Sequence, residues 1–231
     1  MSPTAVVLGV GPGLGMSVAH RFGREGYEVV LVSRGAHRHE GYVAELAAAG
    51  VKARAFAADL RDPVQVKSIV DSIGVVDVVY YGPGATDLSE APEDLIETTS
   101  DDARAAMEWL YPAIDVVQHV LPGVIERGGG LLFAGGLSAV RPMPMLGSLA
   151  LSGAALRNYA VTLNVALAGK GVYSGTLTIG GLVERGDIHE AVRANPGTFG
   201  EVATLDPDEI AEIAWRMFVE RDRAEEIFSV L

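Results

Sequence analysis

An α/β fold, with a doubly wound sheet of about seven parallel strands and helices on both faces, is predicted by three features of the sequence. Short apolar, β-branched runs alternate with longer stretches of helical periodicity. The first of these runs leads into a turn crowded with glycine (Gly9, Gly11, Gly13 and Gly15), and a helical pattern follows at once. Of the 231 residues, 49% are hydrophobic, enough to fill one sizeable core. There is no internal repeat, low-complexity tract or linker, so a single domain over 1–231 accounts for the chain.

The elements follow in order. "TAVVLG" from Thr4 reads as the first strand, and a helix follows from about Gly13 to Glu25. "EVVLVS" from Glu28 is the second strand, with a helix through "EGYVAELAAAG" behind it. "KARAFA" from Lys52 is the third, followed by a helix from about Asp62 to Ile73. "VVDVVYY" from Val75 is the fourth, and one long helix is expected from about Asp101 to Arg127. "GLLFAG" from Gly130 is the fifth, with a helix from about Leu146 to Ala168. "GVYSGTLTI" from Gly171 is the sixth, "PDEIAEIAWRMFVE" is an amphipathic helix, and "EEIFSV" is the last strand. Continuous apolar strands of this kind belong to a parallel sheet covered on both faces, with right-handed crossovers.

Composition narrows the function. The formal net charge of -12 argues against nucleic-acid binding, which needs clustered Lys and Arg on the phosphates. With no cysteine there is no disulfide, thiol nucleophile or Cys-ligated metal. The start "MSPTAVVLGVGPG" lacks a basic region ahead of its apolar run, and no run approaches the roughly 18 apolar residues of a membrane span. A cytoplasmic protein that binds no membrane is expected.

The glycine turn has the context of a dinucleotide site, after a strand and before a helix, as in a Rossmann-type fold. Gly9, Gly11, Gly13, Leu14 and Gly15 are the residues expected at a pyrophosphate, where a helix N-terminus offers free N–H groups and partial positive charge. The second strand ends in "LVSRGAHRH", with Ser33 and Arg34 where an acidic residue would bind the ribose 2′-hydroxyl of NAD. A hydroxyl and a guanidinium suit a 2′-phosphate, so NADP(H) is favoured over NAD(H), with His37 and Arg38 adding positive potential. His37 and His39 alone make no metal site, because a third ligand is missing. Asp59, after the third strand, is placed either at the adenine amino group or at a helix start; Asp62 is the better helix cap.

Together these residues resemble the short-chain dehydrogenase/reductase family, from Val6 to about Phe218. The opening Thr-Gly-x-x-x-Gly-x-Gly of that family matches Gly9, Gly13 and Gly15, with Leu8 for the threonine. Arg34 matches its NADP-preferring members, and Asp59-Leu60 matches its adenine contact. The resemblance further implies a cofactor contact at Gly82 and Gly84, where "YGPG" (Tyr81 to Gly84) replaces Asn-Asn-Ala-Gly. The family's asparagine in the long helix falls at about Trp109, and its catalytic serine falls near Gly136, with Ser138 two residues on. Its Tyr-x-x-x-Lys falls at Leu149 and Gly153; no tyrosine occurs between Tyr111 and Tyr159, and Lys170 lies beyond the helix. "LFAGG" and "GSLALSGAALRNYAVTLNVAL" are similar to a divergent branch that carries Gly-Gly after the fifth strand and Ser-Leu in place of tyrosine.

Carbonyl reduction needs a proton for the developing alkoxide, and in the family a lysine-tuned tyrosine gives it. Leu149 and Gly153 do neither. Three outcomes follow. In the first, a reductase acts on a small carbonyl or imine substrate, with Ser138, Tyr81, Arg141, Tyr111 or water as the proton source. In the second, a cyclase, isomerase or dehydratase uses Glu184, Asp187 and His189, in the segment that caps substrate in the family. In the third, an inactive NADP-binding scaffold works through a partner. The resemblance also implies a homodimer or homotetramer through the helices around 101–127 and 146–168, where Gly147, Ala150, Gly153 and Ala154 permit close contact.

Overall fold

A computed structural model describes residues 2–83, 93–194 and 203–230. In chain order, β1 (Thr4–Leu8), α1 (Leu14–Arg24), β2 (Glu28–Ser33), α2 (His39–Ala48), β3 (Ala53–Ala57), α3 (Pro63–Ile73) and β4 (Val78–Tyr81) make the first half. Next come α4 (Ser100–Met107), α5 (Tyr111–Arg127), β5 (Gly130–Gly136), α6 (Gly147–Leu167) and β6 (Tyr173–Gly180). The short strands β7 (Leu182–Val183) and β8 (Thr204–Leu205) flank α7 (Asp187–Ala194), and α8 (Pro207–Glu220) and β9 (Glu225–Ser229) complete the order.

Seven strands form one sheet in the order β3-β2-β1-β4-β5-β6-β9. Every neighbouring pair is parallel. The strand order reverses direction between β1 and β4, whose last residues are in register as Leu8 and Tyr81. Open α/β sheets bind ligands outside the carboxyl ends of their strands at this kind of switch point.

Period-two alternation sends neighbouring side chains to opposite faces. Val7, Leu31 and Leu132 pack with α1, α2 and α8 on one face. Val6, Val30 and Phe133 pack with α3, α5 and α6 on the other. Phe22 of α1 is completely buried, edge-on to both Tyr27 and Trp215. The single helix expected from Asp101 to Arg127 is two helices. Pro112 has no N–H for the carbonyl four residues back, and its ring crowds that carbonyl, so the chain breaks at 108–110. α4 begins with a capping box, in which the Thr99 hydroxyl accepts from the Asp102 N–H and the Asp102 carboxylate accepts from the Thr99 N–H. Among the described residues, no helix is long and apolar enough to cross a membrane.

Truncating a fully buried aromatic leaves a cavity the sheet cannot refill. Phe22→Ala is expected to lower unfolding free energy by about 3–5 kcal/mol in a denaturant titration. Val64→Ala, at a side chain 75% exposed, should change it by less than about 0.5 kcal/mol.

Candidate functional site

The site is built from the turn after β1. Gly9 has φ +81°, and a Cβ there would lie 2.5 Å from the Cα and N of Pro83. Only glycine lets the chain after β4 pass so close beneath the turn. The Gly9 and Val10 N–H groups both donate to the Val32 carbonyl, at 2.8 and 3.1 Å, which ties the turn to β2. Gly15 lets α1 lie on Val10, whose Cα would be 2.9 Å from its Cβ. Gly11 differs: a Cβ there meets nothing within 4 Å, so this part of the turn faces open space. Leu14, the first residue of α1, is buried in the core and brings only its backbone to the turn.

The start of α1 carries no side-chain cap and no acidic residue in its first turn. By contrast, Asp62 caps α3 and Asp206 caps α8. The positive dipole end of α1 therefore lies beside the open ground at Gly11 with no carboxylate in its own first turn.

At the end of β2, Arg34 is exposed. Ser33 Oγ donates to the Gly35 carbonyl at 3.1 Å and lies 2.8 Å from His39 Nε2. With its one proton engaged, the serine accepts from the imidazole N–H. His39 is buried, and desolvation, with His37 nearby, lowers its pKa. Asp59, after β3, is gripped by Arg61 through Nε at 3.0 Å and Nη2 at 2.7 Å. That side-chain pairing, with the Arg61 N–H, holds its carboxyl at about 2. Arg61 also lies over the Trp109 ring, 5.6 Å from its centre. Leu60 is buried against α3.

Tyr81, at the end of β4, is buried, and its hydroxyl donates to the Trp109 carbonyl at 3.2 Å, where the chain breaks between α4 and α5. Burial pushes its pKa up. Gly82 leaves room for the Tyr80 phenol, whose oxygen would be 2.5 Å from a Cβ there. Gly84 lies outside the described residues.

Ser138 sits in a 3-10 turn, Leu137–Ala139, directly after β5. Its Oγ would be 3.7 Å from a Cβ on Gly136 and 4.0 Å from one on Gly153. The hydroxyl therefore occupies the space between the end of β5 and the first turns of α6, where Leu149 and Gly153 stand one helical turn apart. Arg141 is exposed, with its N–H on the Leu137 carbonyl at 2.9 Å.

The segment after β6 crosses the glycine turn. The Glu184 carbonyl would be 2.9 Å from a Cβ on Gly13, and the Gly186 nitrogen 3.0 Å. Arg185 adopts φ +64°, a left-handed conformation that costs a non-glycine residue about 1 kcal/mol. It is held there by Ser17 Oγ at 3.1 Å and Asp208 at 2.9 Å. Glu184, Asp187 and His189 have separate partners: Thr204 at 2.7 Å, Arg38 at 2.8 Å and Glu190 at 3.1 Å. The sequence reading missed the contacts of Arg61, Arg185 and Asp187. Arg61 pairs with Asp59 only two positions away, a spacing that was open to view; no local signal marks the others, since Arg38 and Asp187 are 149 positions apart and Arg185 and Ser17 are 168 apart.

Comparison with known proteins agrees with this architecture. The profile of the short chain dehydrogenase family matches residues 3–194. A short chain dehydrogenase of Pseudocercospora fijiensis is 31% identical over 188 residues, which are 77% of this chain and 59% of that protein. The serine 3-dehydrogenase of Rhizobium radiobacter is 30% identical over 179 residues, 74% of this chain and 69% of that protein. The 1-deoxy-11-beta-hydroxypentalenate dehydrogenase of Streptomyces exfoliatus is 31% identical over 54% of this chain, which spans 46% of that relative's length. The chain thus covers about half of some curated relatives it matches. Among solved structures, a short chain oxidoreductase of Pseudomonas aeruginosa PAO1, with NADPH bound and an atypical catalytic center, has a TM-score of 0.80 at 20% identity. The match covers 98% of this chain and 95% of that one, and it shows the fold.

The packing around the turn separates its glycines. Gly9→Ala is expected to lower the thermal midpoint sharply or prevent folding, because both its φ and Pro83 oppose a side chain. Gly11→Ala should leave the midpoint within about 2 °C of native in a thermal melt.

Proposed function

The chain belongs to the short chain dehydrogenase family, and from that premise we propose that it is an NADP(H)-dependent reductase of a small carbonyl or imine compound, working without a tyrosine–lysine pair. One observation carries the cofactor part. The uncapped start of α1 and the open face at Gly11 lie at the switch point of the sheet, and β2 beside it ends in Ser33 and an exposed Arg34. The residues fit a dinucleotide. The free N–H groups at Gly13 and Gly15 suit its pyrophosphate, and the Arg34 guanidinium suits a 2′-phosphate. Asp59 is ionised and paired with Arg61 at the end of β3, where the pair would border the adenine, with Leu60 buried beside it, and Gly82 follows β4 on the nicotinamide side; Gly84, expected there too, lies outside the described residues.

The reduced nicotinamide, when bound, supplies a hydride to the carbonyl or imine carbon. Ser138 is the residue best placed to serve the oxygen or nitrogen that gains the charge. Its hydroxyl stands in the space left by Gly136 and Gly153; there it hydrogen-bonds the developing anion while water delivers the proton. Tyr81 is less suited, because its hydroxyl is buried and engaged by the Trp109 carbonyl. Arg141 is the candidate for holding substrate polarity at the exposed rim. The separate partners of Glu184, Asp187 and His189 disfavour the non-redox reading.

The assembly we propose is a homodimer or homotetramer through α5 and α6. α6 is apolar, yet Leu151 is 48% exposed and Val165 76% exposed, and Tyr111 of α5 is 48% exposed. Val165→Glu should then shift the species seen by light scattering toward monomer, while leaving far-UV circular dichroism unchanged.

Two experiments test the reading. Titration followed by nucleotide fluorescence should find NADPH bound more tightly than NADH, and Arg34→Glu should weaken NADPH by at least about ten-fold with little effect on NADH. Binding of neither nucleotide would end the redox reading. Once a substrate is found by screening for NADPH oxidation, Ser138→Ala should lower kcat/KM by about 10²-fold at unchanged NADPH affinity.

A further inference from the structure

We propose that Asp187 competes with the cofactor's 2′-phosphate for the Arg38 guanidinium and so sets how strongly the protein prefers NADP(H) to NAD(H). This rests on the cofactor reading above. Arg38 ends the loop that carries Ser33 and Arg34, and the residue after it, His39, touches Ser33 directly. The rim that would receive a 2′-phosphate therefore has two guanidinium groups on five consecutive residues. They are not equally available. Arg34 is exposed, whereas Arg38 Nη1 is 2.8 Å from Asp187 Oδ2, on the first residue of α7.

The fold places that carboxylate there. Glu184–Gly186 lie against Gly13, and Arg185 ties the same segment to Ser17 and Asp208. α7 thus starts beside the cofactor cleft, facing the loop after β2. The pair is open to solvent, with side chains 42% and 54% exposed, so an incoming anion can reach it. It uses one of the five guanidinium donors. A 2′-phosphate carries up to two negative charges and cannot share this rim with a carboxylate without repulsion. It must displace Asp187 from Arg38 or bind against it. A ribose with a free 2′-hydroxyl meets no such opposition. Asp187 therefore penalises NADP(H) selectively, and its removal frees a second guanidinium for the phosphate.

The test is a fluorescence titration of NADPH and of NADH against the native protein, Asp187→Asn, Arg38→Gln and the double variant, at one ionic strength. Asp187→Asn should tighten NADPH about three- to five-fold, the scale of an exposed ion pair, and leave NADH unchanged. Adding Arg38→Gln should erase that gain. Asp187→Ser, which keeps a residue suited to a helix start, should repeat the result and guards against an effect of α7 fraying. NADPH affinity that is unchanged or weaker in both Asp187 variants overturns the inference and leaves the cofactor reading standing. A native protein that binds NADH but not NADPH overturns the inference together with the preference assigned to Arg34. A native protein that binds neither overturns both it and the proposed function.

Discussion

Between Gly9 and the chain after β4 there is no room for a methyl group: a Cβ on Gly9 would fall 2.5 Å from Pro83. This crossing fixes the switch point. It brings the carboxyl ends of β1 and β4 together, in register as Leu8 and Tyr81. It also sets the angle at which α1 leaves the sheet, with Gly9 and Val10 both bonded to the Val32 carbonyl of β2. The open face at Gly11 exists because the turn is pulled down at Gly9 and back at Gly15. The same economy of side chains recurs at Gly13, where the segment after β6 closes on the turn from the opposite side.

Charge is distributed against the bulk of the molecule. The chain is acidic overall, with net charge -12, yet the loop after β2 gathers Arg34 and Arg38. A local cation cluster in an anionic protein steers an anionic ligand to one place. The cluster is itself tempered where Asp187 meets Arg38 across the cleft, whereas Arg61 offsets the Asp59 carboxylate at the neighbouring strand end. The chemistry on the far side is sparse by comparison. Leu149, Gly153 and Gly136 supply no titratable group, and the hydroxyl of Ser138 lies beside the two glycines.

The strands were legible because a sheet covered on both faces demands unbroken apolar runs, and "TAVVL", "EVVLV" and "GLLF" are runs of strand length bounded by turn residues or by a helical pattern. The glycine turn was legible because its residues and its neighbours lie within one short stretch. Asp62 as the cap of α3 was legible for the same reason. The break before Pro112 was not foreseen, although proline's missing N–H was in view. Helical periodicity on both sides masked it, and the strong capping box at Thr99 starts a helix only eight residues long. Contacts between distant parts of the chain left no trace in spacing. Tyr81 reaches a carbonyl 28 positions away at that break, and Arg185 reaches Ser17 on α1.

The proposed phosphate seat is the glycine turn at the start of α1, open at Gly11. Backbone amide chemical shifts report it directly, since a phosphate there accepts hydrogen bonds from the N–H groups themselves. Adding 2′,5′-ADP to isotopically labelled protein should move the amide resonances of Gly11, Gly13, Leu14 and Gly15 together with those of Ser33 and Arg34. Saturating nucleotide that leaves the glycine-turn amides in place, or that shifts only residues elsewhere on the surface, would contradict the account.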